Sequence, residues 1–240
     1  MPPGKALTKG LDILEALAAS DDALAFAELR GRVDVSPASF ARFLRILCER
    51  GYAVQSSGGY RLGWSSVKLG LAAREMSSVR ELARPHLEEI AAATDESSEL
   101  AVFESDEFIF LDRVECPRSV VLKARPGSSF PIRDGTAIGR LAIAMGCAPR
   151  RGGLAARAAK RVRHDLFAEM LQNDDEVYRS AAPIFGSGGG CIGCICVAAP
   201  AFRVGERERK AFRRLLGEHS RELSAKLGAR EETAARHRVG

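Results

Sequence analysis

The residues whose types and spacing first suggest chemistry are three cysteines, Cys191, Cys194 and Cys196, set within six positions of one another. Thiolates bind zinc, but a structural zinc site takes four ligands, commonly paired Cys-x-x-Cys units or one such unit with histidines. The four histidines of the chain are far apart in sequence, so no metal site is expected. Redox sensing would require exposure and a lowered thiol pKa, and sequence shows neither. If the segment is a strand, side chains alternate, so Cys194 and Cys196 share a face while Cys191 points away. The majority reading is three small strand residues. No nucleophile elbow, phosphate loop or Ser/His/Asp set stands elsewhere, so no catalytic residues, no cofactor and no enzyme activity are expected.

A second constellation lies near the N-terminus. Ser36-Pro37 precedes an apolar stripe of Phe40, Phe43, Leu44 and Leu47, which predicts a helix over 37–50. Ser36 is expected to cap it with its hydroxyl, and Pro37 at the first helical position loses no hydrogen bond. The outward positions are Pro37, Ala38, Ser39, Ala41, Arg42 and Arg45. Arg42 can clamp a guanine or a phosphate through two parallel hydrogen bonds, and Ser39 can bond a base edge or a phosphate.

The flanking elements suit that role. Leu7, Leu11, Leu14, Leu17 and Ala18 recur at helical spacing, and a short helix over 25–32 is expected to bury Phe26 and Leu29. Gly51 stands where a helix C-terminal cap belongs. Beyond it, Tyr52–Gln55 and Tyr60–Leu62 flank Ser56-Ser57-Gly58-Gly59, a hairpin with Arg61 on its second strand. Helix, helix, capped helix and hairpin make a winged helix-turn-helix, whose third helix enters the major groove. The same elements also build protein-interaction modules, so a redox- or protein-sensing winged-helix protein without a small-molecule effector is the alternative.

Charge adds little to the case. The net charge is +5, yet residues 203–240 alone hold eleven Lys+Arg against six Asp+Glu. The Met-Pro-Pro-Gly start has no apolar stretch behind it, and no run approaches the roughly 20 apolar residues of a membrane span. A cytoplasmic protein with reduced thiols and no membrane partner is expected.

Downstream, Val67, Leu69, Leu71 and Ala72 predict a helix over 64–78, and Arg84-Pro85 is expected to open another over 85–94. The period then shortens. Strands are expected at 100–103, 108–114, 119–123, 180–185 and 191–199, with a loop at 127–131. Asp134 or Thr136 is expected to cap a helix over 137–145, and a final helix runs from about 206 to 227.

With these residues in view, the chain resembles the IclR-type transcription regulators over nearly its whole length. The matching strings are Lys5-Ala6-Leu7-x-Lys9-Gly10-Leu11-x-Ile13-Leu14, Ser36-Pro37-x-Ser39-x-x-Arg42-x-Leu44, and Tyr60-Arg61-Leu62-Gly63. The resemblance implies an α+β protein: a winged helix-turn-helix DNA-binding domain (1–63), a linker helix (64–80), a GAF-like antiparallel-sheet effector-binding domain (81–228) and a frayed tail (229–240). It implies a double-stranded DNA operator, a small-molecule effector, and self-association as a dimer or dimer of dimers. DNA contacts are expected from Ser36, Pro37, Ala38, Ser39, Arg42, Arg45 and Arg61, and effector contacts from Gly135, Thr136, Ala137, Cys194, Cys196 and Ala198.

Departures from the family pattern qualify this picture. Ser39 stands where threonine is usual, Ala41 where a polar or aromatic residue is common, and Arg140 where lysine is usual. Cys196 and Ala198 replace hydroxyl-bearing serines, which implies a less polar pocket and an effector, expected to be a carboxylate, with a larger apolar or aromatic body. The family's Gly-Tyr-Ala element before the last hairpin is missing, which leaves only Asn173-Asp174-Asp175-Glu176 and an Arg/Ala-rich stretch.

Overall fold

The computed structural model of the chain describes residues 3–72, 74–115, 125–148, 154–172 and 176–230. The chain divides into two compact units, Met1–Ser77 and Ser78–Gly240.

The first unit holds helices α1 (Pro3–Ala18), α2 (Phe26–Gly31) and α3 (Pro37–Glu49), then the hairpin of β1 (Ala53–Ser56) and β2 (Gly59–Leu62), and helix α4 (Trp64–Ala72). Its core gathers Ile13, Leu17, Leu29, Phe40, Phe43, Leu44 and Ala53. Two expectations fail here. Leu7 and Leu11 are exposed, because α1 is apolar around more than one face and its Ile13/Leu17 side is the buried one. Phe26 stays 41% exposed, resting edge-on against Phe40 with ring centroids 5.1 Å apart.

Helix α3 ends in a Schellman motif. Gly51, at φ +74°, donates its amide to Cys48 O, and Tyr52 donates to Leu47 O. A left-handed residue is needed there, which explains the glycine. The turn sends the chain directly into β1, which pairs antiparallel with β2, and a bridge from Leu24 to Tyr60 adds a third segment to the wing.

Among the described residues, the second unit is built on a six-stranded antiparallel sheet. Helix α5 (Arg74–Thr94) leads into β3 (Ser97–Glu104), β4 (Glu107–Val114) and β5 (Ser129–Pro131). Helices α6 (Ala137–Met145) and α7 (Ala156–Asp165) follow, then β6 (Ala168–Gln172), β7 (Val177–Phe185), β8 (Cys191–Pro200) and α8 (Glu206–Lys226). The strand order is β5-β4-β3-β8-β7-β6. Period-2 alternation then gives each strand two burial partners. Leu100, Ala182, Ile184, Ile195 and Val197 pack with residues of α5 and α8 on one face. Ala101, Phe108, Phe110, Ala181, Cys194 and Cys196 pack with Ile138, Leu141 and Met145 of α6 on the other.

Several expectations change in this unit. Pro85 lies inside α5 and does not open a helix, since Leu87, Ile90 and Ala83 give the segment a continuous buried stripe. The 127–131 loop contains a three-residue strand paired with β4. β6 and α7 were not anticipated. The expected strand at 119–123 lies outside the described residues.

Candidate DNA-reading helix and effector face

Helix α3 buries Phe40, Phe43 and Leu44 and leaves Ser36, Pro37, Ala38, Ala41, Arg42 and Arg45 exposed, with Ser39 half-buried. Ser36 occupies the N-cap position with extended backbone, but its hydroxyl makes no capping bond, contrary to expectation. Pro37 at the first helical position carries no amide, so the first turn has one unpaired donor fewer. The Arg42 guanidinium lies 5.2 Å from the centre of the Phe43 ring. Arg45 pairs with Glu49 at 3.0 Å, and both are exposed. Such an i,i+4 surface pair is worth only about 0.3–0.5 kcal/mol, so it yields readily to a phosphate. Arg61 is exposed on β2, opposite Val54.

In the second unit, Thr136 is the N-cap of α6, and its hydroxyl accepts from the Gly139 amide at 2.9 Å. Gly135 is exposed, Thr136 half-buried and Ala137 buried. Arg140 folds back to donate to the carbonyl of Asp134 at 2.7 Å. Thr136 and Arg140 thus both serve the turn itself. Cys194 and Cys196 lie fully buried under α6 with their sulfurs 3.5 Å apart, and Ala198 continues their face.

Cys191 departs from strict alternation. The β7–β8 register shifts so that Phe185 pairs with Cys191 while Ile184 pairs with Gly193, leaving Ile192 as the extra residue of a bulge. The bulge reverses the parity, and Cys191 packs with the same cluster as Cys194 and Cys196. Burial and neighbouring sulfurs push the Cys194 thiol well up. Cys147, at the end of α6, donates to the Cys191 carbonyl at 3.3 Å, while a hydrogen bond from the Cys191 thiol lowers the Cys147 pKa against the opposing effect of burial.

Sequence reasoning missed the charged part of this face. In register with Cys196 on β3 is Glu99, which is fully buried, and in register with Ala198 on β7 is Arg179. Arg179 Nε donates to Glu99 Oε2 at 3.1 Å, and Arg113 Nη1 reaches Glu99 Oε1 at 3.4 Å. Arg113 also donates to the Ser97 hydroxyl at 3.1 Å, and Arg179 lies 5.7 Å from the centre of the Phe110 ring. Ionised side chains at inward strand positions were the available signal, because charged groups are almost never fully buried unless paired. The face is less polar at Cys196 and Ala198 than serines would make it, yet strongly ionic beside them.

The chain is similar to known proteins in both units. Residues 6–57 match the IclR helix-turn-helix domain, and residues 72–151 match the bacterial transcriptional regulator IclR C-terminal domain, together more than half of the chain. The HTH-type transcriptional regulator BhcR of Paracoccus denitrificans is 26% identical over 97% of this chain and 90% of its own length. An IclR transcriptional regulator from Alicyclobacillus acidocaldarius has the same fold, with TM-score 0.74, 19% identity, and coverage of 92% of this chain and 98% of that one. An IclR homolog from Microbacterium hydrocarbonoxydans, solved in complex with 4-hydroxybenzoate, gives TM-score 0.72 at 20% identity, covering 92% and 99%. Among the described residues no helix is long and apolar enough to cross a membrane. The exposed face of α3, the wing beside it and the sheet domain that follows therefore have one common explanation: the chain belongs to the IclR family of transcription regulators, DNA-binding proteins and not enzymes.

Proposed function

We propose that this cytoplasmic regulator binds a two-fold operator in duplex DNA, and that a small organic carboxylate with an apolar or aromatic body modulates that binding. The observation that carries the reading is α3, which with its N-cap Ser36 presents Pro37, Ala38, Arg42 and Arg45 outward and Ser39 half-buried beside them, over an apolar inner face. Such a surface fits the major groove, with Arg42 reading a base and Arg45 and Arg61 holding phosphates.

The effector reading draws on the α6 face of the sheet. Cys194, Cys196 and Phe110 offer an apolar wall, and the Arg179 and Arg113 guanidiniums beside Ala198 offer the donors a carboxylate seeks. Gly135, Thr136 and Ala137 at the N-terminus of α6 complete the proposed site, where the helix dipole favours an anion. The Microbacterium homolog was solved with an aromatic carboxylate, the same ligand class. Ligand would act by binding one arrangement of the DNA-binding units better than another.

Self-association is supported by the first unit's surface. Leu7 and Leu11 of α1 and Trp64, Val67, Leu69 and Leu71 of α4 are all exposed. So much unburied apolar side chain on a single small unit fits a protein interface, and a second copy of the chain is the proposed occupant.

Fluorescence anisotropy with duplex from upstream of the protein's own gene tests the DNA half. Affinity should fall steeply with salt, and Arg42→Ala should weaken it. No binding at low salt would overturn the reading. Calorimetry with 4-hydroxybenzoate, benzoate, pyruvate and glyoxylate tests the other half: tight binding of the keto acids and none of the aromatic acids would reject the proposed effector class.

A further inference from the structure

Helices α5 and α8 cover the same face of the sheet, and each carries the same pair of residues three positions apart: His86 and Glu89 on α5, His219 and Glu222 on α8. On a helix, residues at i and i+3 share a face. The packing sets the two faces against each other. His86 Nδ1 and His219 Nδ1 stand 2.9 Å apart, with the rings edge to face at 76°. Each histidine also meets the carboxylate of the opposite helix. Glu222 Oε2 is 3.9 Å from His86 Nδ1, and Glu89 Oε2 is 3.9 Å from His219 Nε2. Both imidazoles are buried, at 3% and 8% exposure, whereas both carboxylates are open to solvent. The cluster therefore has a dry interior and an exposed mouth.

We propose that His86, His219 and Glu222 form a binding site for one divalent transition-metal ion of the zinc type, joining α5 to α8. The ligand atoms of these three side chains all lie within 4.8 Å of one another. Two imidazole nitrogens that share an ion at about 2.0–2.1 Å must sit roughly 3 Å apart, close to the observed separation. The donor set is two nitrogens and one carboxylate oxygen, which suits zinc, cobalt or nickel and disfavours magnesium and calcium, whose ligands are oxygens. A fourth position is left for water at the solvent side, where Glu89 can accept a hydrogen bond from it.

In the metal-free chain a proton takes the ion's place. Lys226 Nζ lies 2.9 Å from His86 Nε2, and an ammonium can only donate, so that ring nitrogen accepts. His86 then carries its proton on Nδ1 and donates it to His219 Nδ1. A neutral imidazole is the form that ligates. Metal binding at His86 Nδ1 moves that proton to Nε2 and turns the exposed Lys226 side chain outward. No electron is transferred, and Lys226 competes with the ion.

Calorimetry on the full-length protein, stripped with chelator and with its thiols alkylated, should show one Zn²⁺ bound per chain and no response to Mg²⁺. Co²⁺ should give the visible absorption of a nitrogen- and oxygen-ligated tetrahedral or five-coordinate ion. His86→Asn and His219→Asn should each abolish the binding. Glu222→Gln should weaken it by about tenfold or more. Lys226→Ala alters only an exposed side chain, and it should tighten zinc binding while leaving the fold unchanged. Absence of saturable Zn²⁺ binding by the alkylated protein, zinc binding that survives both asparagine variants, or Lys226→Ala weakening the affinity would overturn the proposal. None of these outcomes bears on operator or carboxylate binding.

Discussion

Arg179 Nε and Glu99 Oε2, eighty residues apart in sequence, meet at 3.1 Å on the α6 face of the sheet. Glu99 is fully buried and Arg179 is nearly so. A charge placed there is tolerable only because its partners are placed with it. The contact ties β3 to β7 across β8 and supplies polar groups where Cys196 and Ala198 supply none.

Removing the carboxylate should be costly. Glu99→Ala leaves the guanidiniums of Arg113 and Arg179 facing each other, and unpairing buried charge of this kind costs about 3–5 kcal/mol. Urea unfolding of the purified variant checks this. A loss below roughly 1 kcal/mol, the range of an exposed surface pair, would show that the group is solvated in solution.

For DNA, Arg42→Ala should cost on the order of 1–3 kcal/mol, confined to one operator position, with thermal stability unchanged. Arg61→Ala should weaken binding evenly across sequences and lower the slope of log affinity against log salt by about one. Anisotropy titrations against single-base operator variants at two salt concentrations separate these outcomes.

The thiols should differ in reactivity. Cys147 is half-exposed, and its pKa is lowered by a hydrogen bond from the Cys191 thiol, whereas Cys194 is buried with its pKa well raised. Iodoacetamide should therefore label Cys147 well before Cys194 at neutral pH, as read by peptide mass mapping. Equal rates would mean that α6 opens from the sheet faster than the reagent reacts.

Asp165 offers a pH test. Burial tends to raise its pKa, but hydrogen bonds from His164 and Arg213 prevail and hold it below the ordinary value. A carboxylate with a depressed folded pKa contributes stability above its unfolded pKa of about 4, and that contribution disappears as pH falls through the folded value. Asp165→Asn should therefore lower the melting temperature at pH 7, with the difference from the parent shrinking progressively as pH falls below about 4. A difference that persists unchanged at pH 3 would assign the effect to something other than ionisation.

Gly139 is a steric test of the α6 cap. A Cβ at this position would collide with the carbonyl oxygen of Arg133, a backbone atom that cannot swing aside. Gly139→Ala should cost roughly 1–3 kcal/mol even though alanine is the better helix former. Calorimetric melting of the variant decides it, and an unchanged or raised melting temperature would mean that the 133–136 turn relaxes freely.

The sequence by itself determined most of the local elements, though not α7, β6 or the start of α5. Helix α3 was legible from Ser36-Pro37, an apolar stripe and Gly51, because caps and periodicity act within a few residues. The hairpin at Ser57-Gly58, the helix capped by Thr136 and the long final helix were legible for the same reason. Which apolar face of α1 would be buried was not, since Ile13/Leu17 and Leu7/Leu11 are equally hydrophobic until α3 and the wing choose between them. Nor was the side to which Cys191 points, which depends on a bulge at the adjacent Ile192 that only the pairing with β7 creates.

Long-range pairings were decided only by the tertiary structure. Glu99 finds Arg179 because β8 lies between their strands in the sheet, and His86 finds His219 because α5 and α8 cover one face of it. The wide spacing of the histidines argued against a metal site when read along the chain. The fold cancels that distance, because helices packed side by side on a sheet bring residues 133 positions apart into contact.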